Sequence, residues 1–319
     1  VPESAARPRL TPLVGAIAAA KLLLNIACHG RYGYFRDELY YIACSDHLAW
    51  GYVDHPPLSI AILAVTRRLL GDSLHALRFT AALAGALTVV LAGLMARRLG
   101  GGRFAQAMAA LAVALSPVVL VNGARYYSMN AFDLLLWAAG AYVLIAGLGL
   151  LNKYSMLFFG FGTAAGLVLT GRWRTFLRPW IWAGGAIAVV LFLPHALWEW
   201  RNGFPSAEFI HNATTFKNAP VTIPEFFQAQ AMMTGFAQTA LWVLGLGFFA
   251  LGRGTQARTL RPFAFLYPVT AIVMLAGHAK PYYLTPAYFP YLAAGACVLE
   301  RAARPRARAW LKPVFAAAT

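Results

Sequence analysis

The sequence predicts an all-α, polytopic transmembrane helical bundle, and three observations predict it. The first is composition: of 319 residues, 60% are apolar and 12% charged, with a mean hydropathy of +0.60. Soluble domains run nearer half apolar and a quarter charged, and one of this length has too little interior to hide the excess. The second is the recurrence of long apolar runs from Leu13 almost to the last residue. The third is the bunching of cations between those runs, the pattern that fixes membrane topology. Together they exclude disordered, collagenous, coiled-coil and disulfide-rich secreted classes.

Candidate spans lie near 12–28, 79–96, 105–121, 131–151, 156–170, 180–198, 226–251, 262–277 and 282–299. A spanning helix needs about 20 apolar residues, so several have short cores, and the expected count is nine or ten. The first run lacks a small-residue cleavage site and reads as a retained span rather than a signal peptide. The balance of 27 Lys+Arg against 11 Asp+Glu would suggest nucleic acid in a soluble protein. Here the duller reading wins, because sixteen of those cations sit in five places: Arg7/Arg9, Arg97/Arg98/Arg103, Arg172/Arg174/Arg178, Arg253/Arg258/Arg261 and Arg301 through Lys312. The positive-inside rule puts all five in the cytoplasm, and no nucleic-acid partner is expected.

The acids behave oppositely. Asp37, Glu38, Asp46 and Asp54 fall in a first external loop, 29–77, and Glu199, Glu208 and Glu225 in a second, 199–225. Within the first, the apolar stretch Pro57 to Leu70 is too short to cross and ends in Arg67 and Arg68, so it reads as an interfacial helix. With no repeat or linker, the chain is expected to be one membrane domain, 1–319. Parity fails between Arg103 and Arg172, where three spans join two cytoplasmic charge clusters. A segment missing near Ile145/Ala146 is the expectation, and a tight hairpin of two half-length helices the alternative. Cys28, Cys44 and Cys297 have no metal-ligand spacing and form no even framework, although a Cys28–Cys44 disulfide is conceivable.

Four of the eleven acids lie within eighteen residues, three of them surrounded by aromatics in Tyr34-Phe35-Arg36-Asp37-Glu38-Leu39-Tyr40-Tyr41 and Gly51-Tyr52-Val53-Asp54-His55-Pro56-Pro57-Leu58, and Asp46 between. Acids packed under aromatic residues at a membrane edge need a reason. One reason is a carboxylate pair over a pocket, one member a general base, the other orienting substrate or holding a cation. The other is a solvated loop in which Asp37 caps a helix starting at Glu38. Tyr32, Tyr34, Tyr40, Tyr41, Trp50 and Tyr52 suit either an interfacial belt or stacking on a bound substrate.

Arg36-Asp37-Glu38-Leu39-Tyr40-Tyr41 followed by Asp54-His55-Pro56-Pro57-Leu58 resembles the first external loop of the dolichyl-phosphate-mannose protein mannosyltransferase-like family (glycosyltransferase family 39), to which the bacterial lipid A aminoarabinose transferases are related. Four more blocks follow in family order: Arg125-Tyr126-Tyr127-Ser128-Met129-Asn130, Leu150-Leu151-Asn152-Lys153-Tyr154-Ser155, Leu193-Pro194-His195 leading to Trp198, and Lys280-Pro281-Tyr282-Tyr283-Leu284-Thr285-Pro286. The resemblance runs from Tyr34 to Gly295. The chain departs from the family in being short and in carrying Asp-His-Pro-Pro where aminoarabinose transferases carry Glu-Lys-Pro, which argues against an aminoarabinose donor.

The resemblance implies the GT-C fold, a helical membrane bundle with an external active site, in a bacterial inner membrane. It implies transfer of a sugar from a polyprenyl-phosphate donor to a hydroxyl acceptor with inversion, Asp37 acting as base and Asp54 supporting it. Glu38, His55 and Tyr282 join the expected substrate-binding set. Arg125, Lys153 and Lys280 would stabilise the leaving phosphate, their plainer alternative being snorkelling to the interface. A divalent cation, if used, would fall to Asp37, Asp54 and His55. His195 reads as a helix-packing histidine or a ligand; His211, Asn212 and Lys217 are within reach of an acceptor. The rival readings are a transporter or flippase of lipid-linked sugar, for which Asp133 and Lys21 are the deep charges, and an inactive homologue that binds lipid only.

Overall fold

The structure, a computed structural model, describes residues 8–144, 155–212, 215, 221–277, 279–305 and 308–319. Among them the chain is helical throughout, and its only β feature is an isolated bridge between Asn122 and Tyr126. The main helices are α1 Pro12–Cys28, α2 Arg36–Asp46, α3 Leu58–Leu70, α4 Leu74–Arg98, α5 Arg103–Ala114, α6 Pro117–Ala124, α7 Met129–Leu144, α8 Ser155–Leu169 and α9 Pro179–Arg201. They continue as α10 Pro205–Asn212, α11 Ile223–Thr234, α12 Phe236–Leu251, α13 Thr255–Thr259, α14 Phe263–Ala276, α15 Phe289–Ala302 and α16 Leu311–Ala318, with a 3-10 segment, Pro281–Tyr288, leading into α15.

The described parts of the nine expected spans all fall on helical segments. Four helical stretches are long and apolar enough to cross a bilayer: Pro12–Arg31, Leu74–Arg98, Ile181–Arg201 and Thr255–Ala276, the last made of α13 and α14 together. Two more qualify as bent pairs, α5 with α6 at 58° and α11 with α12 at 107°. Pro117 can open α6 but cannot continue α5, because it lacks the N–H that a running helix needs. Gly235, at φ 97°, makes the sharper elbow. The expected interfacial helix is α3, which buries Ile60, Leu63 and Ala64 and leaves Val65, Leu69 and Leu70 exposed.

Two ends of the bundle differ in charge. Arg97 Nε donates to Pro8 O (2.7 Å), Gln256 Nε2 to Arg98 O (3.0 Å), Arg301 Nη2 to Leu99 O (3.0 Å) and Arg172 Nη2 to Arg258 O (3.0 Å). The basic segments thus converge on one end. At 25 residues, α4 runs about 37 Å from there to the acidic first loop. Helix α7 descends to the basic end, where the Arg98 guanidinium lies 5.6 Å from the Tyr142 ring. Helix α8 descends as well: its Gly162 faces Leu266 and Thr270, and its Gly166 faces Pro262, just before α14 begins. The two helices flanking 145–154 are therefore parallel, while the segment expected to be missing near Ile145/Ala146 lies outside the described residues, as does Lys153.

Lipid gives helices no hydrophobic reason to associate, so close backbone contact must do the work. Helices α12 and α15 show it: a Cβ on Gly245 would fall inside the Tyr291 carbonyl, and one on Gly295 inside the Leu241 carbonyl. Lys21 points into the bundle against Gly85 of α4 and is 3% exposed. All three cysteines are free.

Candidate active site

The first loop is shaped by a buried ion pair. Arg78, near the start of α4, donates Nε (2.9 Å) and Nη2 (2.7 Å) to the two carboxylate oxygens of Glu38. The side chains are 0% and 1% exposed. Burying two charges is costly unless every lone pair and proton is matched, and here they are. Glu38 also accepts from Phe35 N (2.8 Å) and Tyr127 N (2.6 Å). Arg78 also donates to the carbonyls of His29 (2.7 Å), Tyr32 (3.1 Å) and Gly33 (2.8 Å). One pair therefore ties the end of α1, the start of α2, α4 and the segment before α7. Glu38, expected to meet substrate, instead faces this clamp, and Asp37 sits inside the first turn of α2 rather than capping it, because α2 begins at Arg36.

Beyond the clamp opens a cavity of about 680 Å³. Its lining brings together Asp37, Asp54, Lys280 and Tyr282, with Arg36, Tyr40, Tyr41, Tyr126, Ser128, Asn130 and Asp133. An apolar flank is formed by Pro117, Val118, Val121, Leu134, Met232 and Met233. Asp37 keeps its side chain 47% exposed and takes Arg36 Nε at 3.1 Å. Asp54 accepts from Tyr40 Oη at 3.0 Å. The Tyr40 hydroxyl is pushed up by burial and by the charge of Asp54, and that of Tyr41 by burial, Asp54 and Asp37, so both stay protonated donors.

The cavity wall is built by a break. Asn122 and Gly123 leave helical geometry, Gly123 at φ 87°, where only glycine also fits against the Ala81–Ala82 backbone. A His29 ring nitrogen hydrogen-bonds Gly123 O (2.7 Å), and Asn122 Nδ2 donates to Val118 O (2.8 Å). This turns Tyr126 and Tyr127 toward α2, where Tyr126 stacks on Phe35 with ring centroids 5.0 Å apart. On the far side, Gln230 of α11 donates to Pro281 O (2.6 Å) and accepts from Tyr288 Oη, which fixes the turn carrying Lys280 and Tyr282.

Other expected residues lie elsewhere. His55 is 1% exposed and outside the lining; its Nδ1–H donates to Pro56 O (3.0 Å), with Nε2 3.5 Å from Asp54. Burial pushes this imidazole down, the Asp54 carboxylate countering. Arg125 is exposed and lies 4.7 Å over the Tyr32 ring, away from the cavity. His195 joins α9 to the first loop through Trp50 O (2.8 Å) and neighbours Glu199. His211 and Asn212 end α10 outside the lining, to which that helix gives Phe209; Lys217 lies outside the described residues. Among the described residues no three His, Cys, Asp or Glu side chains, Asp37, Asp54 and His55 included, are grouped to hold a metal ion. Missed by sequence reasoning were Arg78, hidden at the edge of an apolar run, and the place of Asp133, which lines the same cavity as the first-loop acids.

A family model for dolichyl-phosphate-mannose-protein mannosyltransferase matches residues 54–198. Crystal structures of ArnT from Cupriavidus metallidurans share the fold. The apo form is 19% identical, with a TM-score of 0.68 over 95% of this chain and 61% of that one. The form bound to undecaprenyl phosphate is 20% identical, with a TM-score of 0.67 over 97% and 63%. The chain thus spans about three-fifths of the length of those structures. No curated protein matches it significantly. The GT-C architecture and the resemblance to mannosyltransferase-like membrane proteins, drawn from the motif blocks, are borne out.

Proposed function

We propose that the cavity is the active site of a membrane glycosyltransferase that moves a sugar from a polyprenyl-phosphate donor to a hydroxyl acceptor. The observation that carries the reading is the convergence of Asp37, Asp54, Lys280 and Tyr282, from segments more than 220 residues apart, on one cavity with a polar and an apolar flank. Undecaprenyl phosphate bound to the similar Cupriavidus protein supports a polyprenyl phosphate as the donor lipid.

In this reading the apolar flank receives the first isoprene units. The Lys280 ammonium faces the phosphate, where negative charge grows as the glycosidic bond breaks. The acceptor hydroxyl attacks the anomeric carbon from the opposite side, which inverts configuration. Its proton passes to a carboxylate oxygen of Asp37, which the open side of the cavity leaves reachable. Asp54, oriented by Tyr40, sets the sugar against Asp37, and Tyr282 packs on the donor. Arg125 and Lys153 take no part derived from geometry. The site would face the exterior of a bacterial inner membrane, since the basic end lies at the opposite pole and cations favour the cytoplasmic side.

Asp37→Asn tests the base. Transfer from a polyprenyl-phosphate sugar in membranes should fall about 100-fold to 10,000-fold with protein level unchanged. Undiminished transfer would end the assignment. Net movement of sugar-lipid in acceptor-free vesicles would favour the transporter reading instead.

A further inference from the structure

The pole opposite the cavity carries cations that the proposed chemistry does not use. Five segments distant in sequence meet there, joined through Arg97 to Pro8 O, Arg172 to Arg258 O, Gln256 to Arg98 O and Arg301 to Leu99 O. Among the described residues the one acid at this pole is Glu300. It is 8% exposed and already accepts from Gly102 N (2.6 Å) and Ala105 N (3.2 Å) at the start of α5. Arg174, Arg178, Arg304 and Arg308 are exposed, and among the described residues no carboxylate pairs with them. Helix α16 and the Trp310 that precedes it add exposed apolar groups beside these charges, Trp310 and Val314, while Lys312 lies 5.7 Å from the Phe104 ring.

We propose that this pole is a docking surface for the phosphodiester headgroups of anionic phospholipids in the adjoining leaflet. Capping of helix carbonyls is the alternative role of arginine here, and it accounts for Arg172, Arg261 and Arg301, which bond carbonyl oxygens at 3.0, 2.7 and 3.0 Å. It does not account for the exposed four. Each guanidinium carries five N–H donors in a fork that matches a phosphate. An apolar helix among them suits the acyl boundary of a bilayer, not a free anion in water. Each basic side chain close to an anionic surface strengthens binding about fivefold.

The test uses the full chain in detergent with equal phosphatidylglycerol and phosphatidylcholine, retained lipid being counted by native mass spectrometry. Phosphatidylglycerol should be preferred by about fivefold or more. The combined change Arg174→Gln, Arg178→Gln, Arg304→Gln and Arg308→Gln should bring the preference near unity, whereas Arg31→Gln at the other pole should leave it intact. Raising salt should weaken the wild-type preference through screening, a reading that needs no variant to fold. Equal retention of both lipids, a preference that survives the four substitutions or the salt, or one lost equally with Arg31→Gln would overturn the proposal. Displacement of the lipid by millimolar inorganic phosphate would mean a free-anion site and overturn it too.

Discussion

The two poles of the bundle handle charge in opposite ways. At the cavity pole, Arg78 and Glu38 are buried and saturate one another and five backbone groups. At the basic pole, arginines hold single carbonyls at helix ends and otherwise face outward. A buried charge that loses its partner cannot turn to water, whereas an exposed one can. The first pole is therefore rigid where it must place acids around a reacting carbon, and the second tolerates change. Substitutions separate the two.

The largest effect is expected at the clamp. Arg78→Met strands Glu38 in the interior, and loss of about 3–5 kcal/mol should appear as a lower Tm in detergent. A Tm within a degree of wild type would break the contrast. Next comes Lys280→Ala, for which kcat/KM for the polyprenyl-phosphate donor should drop more than about tenfold with Tm unchanged; an unaltered kcat/KM would return Lys280 to snorkelling. Tyr40→Phe removes the hydroxyl that orients Asp54 and should cost about tenfold or less in rate.

Acid should weaken the cavity pole through His55. Burial holds its folded-state pKa below the ordinary 6.5, so the unfolded chain binds the proton more readily. The stability it contributes is complete above 6.5 and is lost as pH falls through the folded value. Tm of the wild type should decline below pH 6.5 more steeply than that of His55→Asn, and parallel curves would sink the point. The smallest effect is expected from Arg304→Gln, within about 0.5 kcal/mol in stability.

Much of this was readable from the chain. The apolar runs located the helices, and the scarcity of acids drew attention to Asp37 and Asp54, which do share a cavity. What failed did so for reasons of geometry. Asp37 and Glu38 look alike as neighbours in sequence, but successive helix residues are about 100° apart; one turns to the cavity and the other to the clamp. Arg78 stood at the rim of an apolar run, where it reads as a flank rather than a buried partner. Hydropathy averages across the breaks at Pro117 and Gly235, so neither the 58° nor the 107° bend could be seen. Arg125 follows the α6 break, and only the direction of that break shows it lying on Tyr32.

The pair of hydrogen bonds that Gln230 makes, one donated to Pro281 O and one accepted from Tyr288 Oη, has a mechanical consequence. It ties the α11 limb of the elbow to the strip bearing Lys280, so the apolar Met232 and Met233 and the ammonium keep one spacing across the cavity.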